Sequence, residues 1–179
     1  MNSLNKSLEP DTWLKVLLGV LIALSACQPA VNPDAFAGCA YTEPEPVFNE
    51  NLPGVIDYSF QPGIKESNEQ VKFDDGLNLN IRQSGCDHLK QEYIFEIPGN
   101  YTSRNTQYWV RQTVLLLKEL SKLGPEYVVF EHWSLAIERA GGKINLSQNT
   151  EIEEGFYVSL DRDLFSDHAT LMLTLSDQP

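Results

Sequence analysis

The chain of 179 residues carries 25 acids against 13 lysines and arginines, a formal net charge of −12 at pH 7. Its length suits one domain, and an apolar content of 42% excludes wholesale disorder. The acidic balance excludes two partners that need positive charge, the phosphate backbone of nucleic acids and anionic lipid headgroups.

The first element is an unbroken apolar run, Val16-Leu17-Leu18-Gly19-Val20-Leu21-Ile22-Ala23-Leu24, preceded by Lys15 and followed by Ser25 and Ala26. A spanning helix needs ~20 apolar residues to cross ~30 Å of hydrocarbon. This run is shorter and has the length of the hydrophobic region of an export signal. A buried core helix would be amphipathic, and the run has no polar face. Lys15 at its border supplies the local positive-inside signal.

Directly behind the run, Leu24-Ser25-Ala26-Cys27 resembles the lipobox of bacterial lipoproteins, in which an apolar residue and two small ones precede the modified cysteine. The resemblance covers residues 1–27. It implies cleavage before Cys27, a diacylglycerol on its thiol, and attachment to a membrane through the acyl chains. At ~0.8 kcal/mol per buried methylene, one chain binds reversibly and two or more hold stably. Aspartate after the cysteine favours retention in the inner membrane. Gln28 stands there instead, so the resemblance implies delivery to the outer membrane, facing the periplasm. Removing residues 1–26 takes away Lys6, Lys15, Glu9 and Asp11, and the charge stays at −12. No motif ties the remainder of the chain to a family.

Residues 27–53 read as a tether. Pro29, Pro33, Pro44, Pro46 and Pro53 are scattered among small and acidic residues without a sustained apolar period. At ~3.1 Å per residue, the stretch from Cys27 to Cys39 holds the domain up to roughly 40 Å from a bilayer. With Cys27 set aside, Cys39 and Cys86 remain, and in an oxidising compartment the pair reads as one disulfide. The rival reading is a reactive thiol at Cys86, sharing one face of an extended segment with His88. A free thiol in that compartment is open to oxidation. The disulfide is therefore the expected state, and it pins the tether to the domain.

From Gly54 the texture changes to strand. Residues 55–60 are strand-like, and 70–73 and 77–83 form a hairpin about Asp74-Asp75-Gly76. Leu77, Leu79 and Ile81 alternate with Asn78, Asn80 and Arg82, as in a half-buried strand. Residues 92–97 repeat the alternation and stop at Pro98-Gly99. Over 106–123 the period becomes helical, with Trp109, Thr113, Leu116, Leu117, Leu120 and Leu123 in one stripe and Gly124-Pro125 at the end. A second helix is expected over 126–140, with Pro125 at its first turn. Strand character returns at 143–146, 155–160 and 169–175. The expected domain, residues 54–179, is therefore α+β: a mainly antiparallel sheet with two helices packed on one face, in the order strands, helix, helix, strands. The outer face of the sheet is expected to be polar.

Chemistry-bearing motifs are scarce. There is no glycine-rich phosphate loop, no Gly-x-Ser-x-Gly elbow and no His-Glu-x-x-His. His88, His132 and His168 lie far apart. Glu131-His132-Trp133 splays around a helix, since neighbours there point ~100° apart. Asp161-Arg162-Asp163 and Asp167 offer carboxylates in an expected loop, but Phe165 occupies a ligand position and the turn glycine of a calcium loop is missing. No catalytic, cofactor or metal residue is assigned. From residue 144 onward seven acids (Glu151, Glu153, Glu154, Asp161, Asp163, Asp167, Asp177) face Arg162 alone, which suits a basic envelope protein as partner. These features lead us to expect a membrane-tethered envelope lipoprotein acting as a non-enzymatic interaction module, inhibitor- or immunity-like in character. The alternatives are an envelope hydrolase using His88 or His168 with a nearby carboxylate, and a small-ligand carrier with a deep apolar cleft.

Overall fold

The computed structural model describes residues 37–102 and 104–179. The apolar run, Cys27 and the first part of the tether lie outside them. Four strands, β1 (Val55–Pro62), β2 (Glu66–Phe73), β3 (Asn78–Ser84) and β4 (Lys90–Pro98), precede two helices, α1 (Thr106–Leu120) and α2 (Val128–Ala140). Three more follow: β5 (Thr150–Glu153), β6 (Phe156–Leu164) and β7 (His168–Ser176). One seven-stranded sheet results, in the order β1-β2-β3-β4-β7-β6-β5, with every neighbouring pair antiparallel. The chain is α+β, with four strands before the helices and three after them.

Local chemistry sets the element ends. Between β2 and β3, Gly76 takes a left-handed φ of 92°, while the Asp75 carboxylate accepts the N–H of Leu77 at 3.0 Å. At the start of α1 the Asn105 side chain accepts the N–H of Tyr108 at 3.0 Å, filling one of the donors a helix leaves open. Ser121–Leu123 tightens into a 3-10 turn, and Pro125–Tyr127 forms another that leads into α2.

Across the sheet, Glu69, Ile81, Tyr93, Leu173 and Leu160 form one row, and Val71, Leu79, Phe95, Leu171 and Arg162 the next. This face holds the buried residues of the strands, in one cluster with Trp109, Leu117, Phe130 and Ile137 of the helices. Tyr93 meets the rings of Phe130 and Trp133 edge-on at 5.7 and 5.9 Å.

Residues expected to be tether enter the same core. Phe48 is 2% exposed, lies 5.2 and 5.8 Å from the rings of Tyr127 and Phe130, and meets Phe73 edge-on. Leu52 is buried beside it. The segment from Cys39 to Leu52 is a strap stitched onto the domain. Its Cys39 is bonded to Cys86. Tyr41 gives its N–H to the carbonyl of Cys86 and its hydroxyl to Asp177, at 2.9 and 2.7 Å. Gln83 donates to the carbonyl of Glu45 at 2.6 Å.

Glu69 closes the strap. The residue is wholly buried, and its two carboxylate oxygens accept the N–H groups of Val47 and Phe48 at 2.8 and 2.7 Å. Tyr58 donates its hydroxyl to the carbonyl of Phe48 at 3.1 Å. Burial raises the Glu69 carboxyl above its ordinary range, against the lowering effect of these N–H donors. Burial, and then the charge of Glu69, push the Tyr58 phenol up to about 12. Beneath the strap runs a polar relay: Tyr93 donates to Gln91, Gln91 to Gln83, and Gln83 to the strap.

The structure departs from sequence expectation at several elements. β2 starts at Glu66, four residues early, because Ser67 and Glu69 occupy buried-face positions and break the apolar alternation. The expected strand at 143–146 is a turn followed by a single bridge from Leu146 to Leu160. β5 forms instead at Thr150–Glu153, where exposed acids conceal a short edge strand. Asp161-Arg162-Asp163 is not in a loop. It lies within β6, with Arg162 turned to the buried face and its guanidinium 5.6 Å from the Trp109 ring.

Candidate functional site

The other face of the sheet is polar along its whole width. Gln61, Asn68, Arg82, Glu92, Thr174 and Ser159 form one row, and Ser59, Gln70, Asn80, Ile94, Met172 and Asp161 the next. Ile94 and Met172 are half-buried and stand alone as apolar side chains at its centre. Pleating dictates this pattern, since every core residue sends its strand neighbours to the opposite face.

Over β1 to β4 this face is hollowed. A hollow of about 690 Å³ is lined by Asn68, Gln70, Asn80, Arg82, Lys90 and Glu92, with the β1–β2 turn at its rim. A smaller one of about 260 Å³ continues it past Asn78, Ile94 and Thr170. Lys90 and Glu92 pair at 2.6 Å. The side-chain oxygens of Asn68 and Asn80 are buried without a hydrogen-bond partner among the described residues. Carboxamides, hydroxyls and paired ions together make a lining that suits recognition of a polar ligand.

The histidines occupy three places. His88 precedes β4, and His168 opens β7 opposite Pro98 at the far end of β4, so a nine-residue strand of roughly 30 Å separates them. His88 faces the side-chain amide of Gln178 at 3.1 Å. His168 holds its sequence neighbour Asp167 at 2.8 Å and stacks on Phe165. His132 reaches Glu153 of β5 at 3.1 Å, and Arg139 shares that carboxylate at 3.4 Å. The lining of the hollow beside this last group is His132, Leu135, Glu138, Arg139 and Glu153, an acid–base pair with no hydroxyl or thiol to act as nucleophile. Cys86 is committed to its disulfide with Cys39, as expected, and carries no free thiol.

Among the described residues no three His, Cys, Asp or Glu side chains gather as a metal ion would require. Among them, too, no helix is long and apolar enough to cross a membrane. Cys27, the expected site of lipid attachment, lies outside the described residues. Glu69, Gln83 and Gln91 are the residues that sequence reasoning missed. Their signal was polarity at positions where the period of β2, β3 and β4 demands core. Comparison with family models, with curated proteins and with solved structures finds no match to this chain.

Proposed function

We propose that this chain is an exported bacterial lipoprotein of the cell envelope, carried by a signal at 1–26 and anchored through acyl chains on Cys27. Its folded part is a non-enzymatic binding module. The helix pair closes one face of the sheet, and the polar, hollowed face is left for an envelope component. The observation that carries this reading is the 690 Å³ hollow in the sheet's polar face, lined by carboxamide and ionic side chains such as Asn68, Asn80, Arg82 and Glu92. The lipobox supports the anchor, and the Cys39–Cys86 disulfide suits an oxidising compartment. The strap adds a geometric reason for the pairing. Tension arriving along the tether meets a covalent bond to the β3–β4 turn before it reaches the hydrogen bonds of Val47 and Phe48.

Asp161 and Asp163, both exposed on one side of β6, support a basic envelope protein as a further partner. The reading is tested by expressing Cys27→Ser beside the wild type in a lipoprotein-processing bacterium. The wild type should fractionate with membranes and the variant should appear in the soluble periplasmic fraction. Equal partition of the two forms would contradict the anchor.

A further inference from the structure

We infer that the free edge of β1 pairs with β1 of a second copy of this chain, antiparallel about a two-fold axis, joining the two sheets into one. This goes beyond the binding-module reading and does not rest on it. The strands at the two ends of the sheet, β1 and β5, differ. β5 has four residues, breaks register between Glu151 and Glu153, and carries both of those acids, devices that discourage pairing at an edge. β1 has eight residues, breaks register only at its start between Val55 and Asp57, and has Asp57 as its one ionised side chain. Among the described residues the two most exposed large apolar side chains are Ile64, at 76%, and Ile56, at 68%. Ile56 lies within β1 and Ile64 in the turn that follows it.

Hydrogen bonding fixes which backbone groups the edge offers. Gly63 donates its N–H to the carbonyl of Glu66 at 2.7 Å, and Gly85 donates to that of Lys65 at 3.2 Å on the far side of β2. Residues along an antiparallel strand bond alternately to its two sides. Gln61 and Ser59 therefore bond toward β2, while Tyr58 and Phe60 point N–H and C=O outward. No other described residue bonds to these outward groups. Pro62 faces the same way, has no N–H, and closes the row.

Register identifies the occupant. With Tyr58 opposite the partner's Phe60, and Phe60 opposite the partner's Tyr58, every outward group of the two residues is bonded. That register sets Ser59 opposite the partner's Ser59, Asp57 opposite the partner's Gln61, and Ile56 opposite the partner's Pro62. Aromatic side chains then meet in a favourable cross-strand pair, and no like charges face each other. Asp57 is already paired with Lys72 at 3.0 Å, so the edge carries no unbalanced charge to select a basic or an acidic strand. The strand is its own complement, as a two-fold interface requires. The axis stands perpendicular to the sheet, so both polar faces stay on one side.

The test is cross-linking of the full chain carrying Cys27→Ser. In the proposed register Ser59 meets the partner's Ser59 as a pair without hydrogen bonds, whose Cα separation of ~4.5 Å a disulfide can span. On mild oxidation Ser59→Cys should form a covalent dimer at least about fivefold faster than Asp57→Cys or Gln61→Cys, whose thiols do not meet their own copies in that register. Exposure alone predicts the reverse, since Asp57 and Gln61 are exposed and Ser59 is half-buried. Added salt should speed the reaction, because two chains of net charge −12 repel each other at low ionic strength. Without any added cysteine, amide exchange at Tyr58 and Phe60 should slow as protein concentration rises. Equal cross-linking rates at the three positions would overturn the inference. Protection of the Tyr58 and Phe60 amides that is independent of concentration would also overturn it and assign the edge to the chain's own leading segment.

Discussion

Replacing Glu69 by alanine will lower the unfolding free energy by about 2–3 kcal/mol at neutral pH, because it strips the acceptor from two strap N–H groups. The N–H of Phe48 is buried and has no water to turn to. That of Val47 is half-buried, so its loss costs less. Part of the penalty is offset, since the variant no longer holds a carboxylate away from solvent. Glu69→Gln keeps one acceptor oxygen but turns an amide donor toward an N–H, and should recover only part of the loss. The pH dependence follows from the direction of the shift. Glu69 is raised in the folded state, so the pH-dependent part of its contribution is fully present below the unfolded carboxyl pKa and is lost as pH rises through the folded value, leaving the part carried by the two N–H hydrogen bonds. The gap between wild type and Glu69→Ala should therefore widen on acidification. Denaturant midpoints across that range measure it, and a gap that is constant or narrows toward acid would contradict the latch.

Removing the Cys39–Cys86 bond will cost up to about 4 kcal/mol by the chain-entropy argument for a loop of this length, its ends being 47 residues apart in sequence. The effect should also be local. With the covalent link gone, the strap is held by the hydrogen bonds of Tyr41, Gln83, Tyr58 and Glu69 and by the packing of Phe48 and Leu52. Amide exchange at Val47 and Phe48 should then speed up more than exchange in the paired centre of β4 and β7. Glu69→Ala and reduction act on the same segment, so their costs should not add. A double-mutant cycle should show coupling above about 0.5 kcal/mol. An unchanged unfolding midpoint after reduction would show that the strap holds without its covalent end.

The helices, the β2–β3 turn and β3 were legible because local chemistry decides them. Of the expected stripe, Trp109, Thr113, Leu117 and Leu120 are buried while Leu116 and Leu123 are half-buried at its edges, and Leu79 and Ile81 alternate with exposed or half-buried neighbours. Cysteine arithmetic together with the expected oxidising compartment pointed to the observed pairing. The strap was not legible, because its meaning is non-local. Phe48 stands in a proline-rich acidic stretch, and only the folded sheet brings Tyr127, Phe130 and Phe73 around it. Glu69 likewise reads as a surface residue until two backbone N–H groups some twenty residues earlier arrive on its oxygens. The hollowed face was foreseen only as polar. Its concavity and the unmet oxygens of Asn68 and Asn80 depend on twist and register across four strands, which no single segment encodes.

Intact-mass spectrometry of the protein extracted from native membranes tests the proposed anchoring most directly. The account predicts a chain that begins at Cys27, lighter than the full sequence by residues 1–26 and heavier by the attached acyl groups. A chain that keeps the apolar run and carries an unmodified thiol at Cys27 would contradict it.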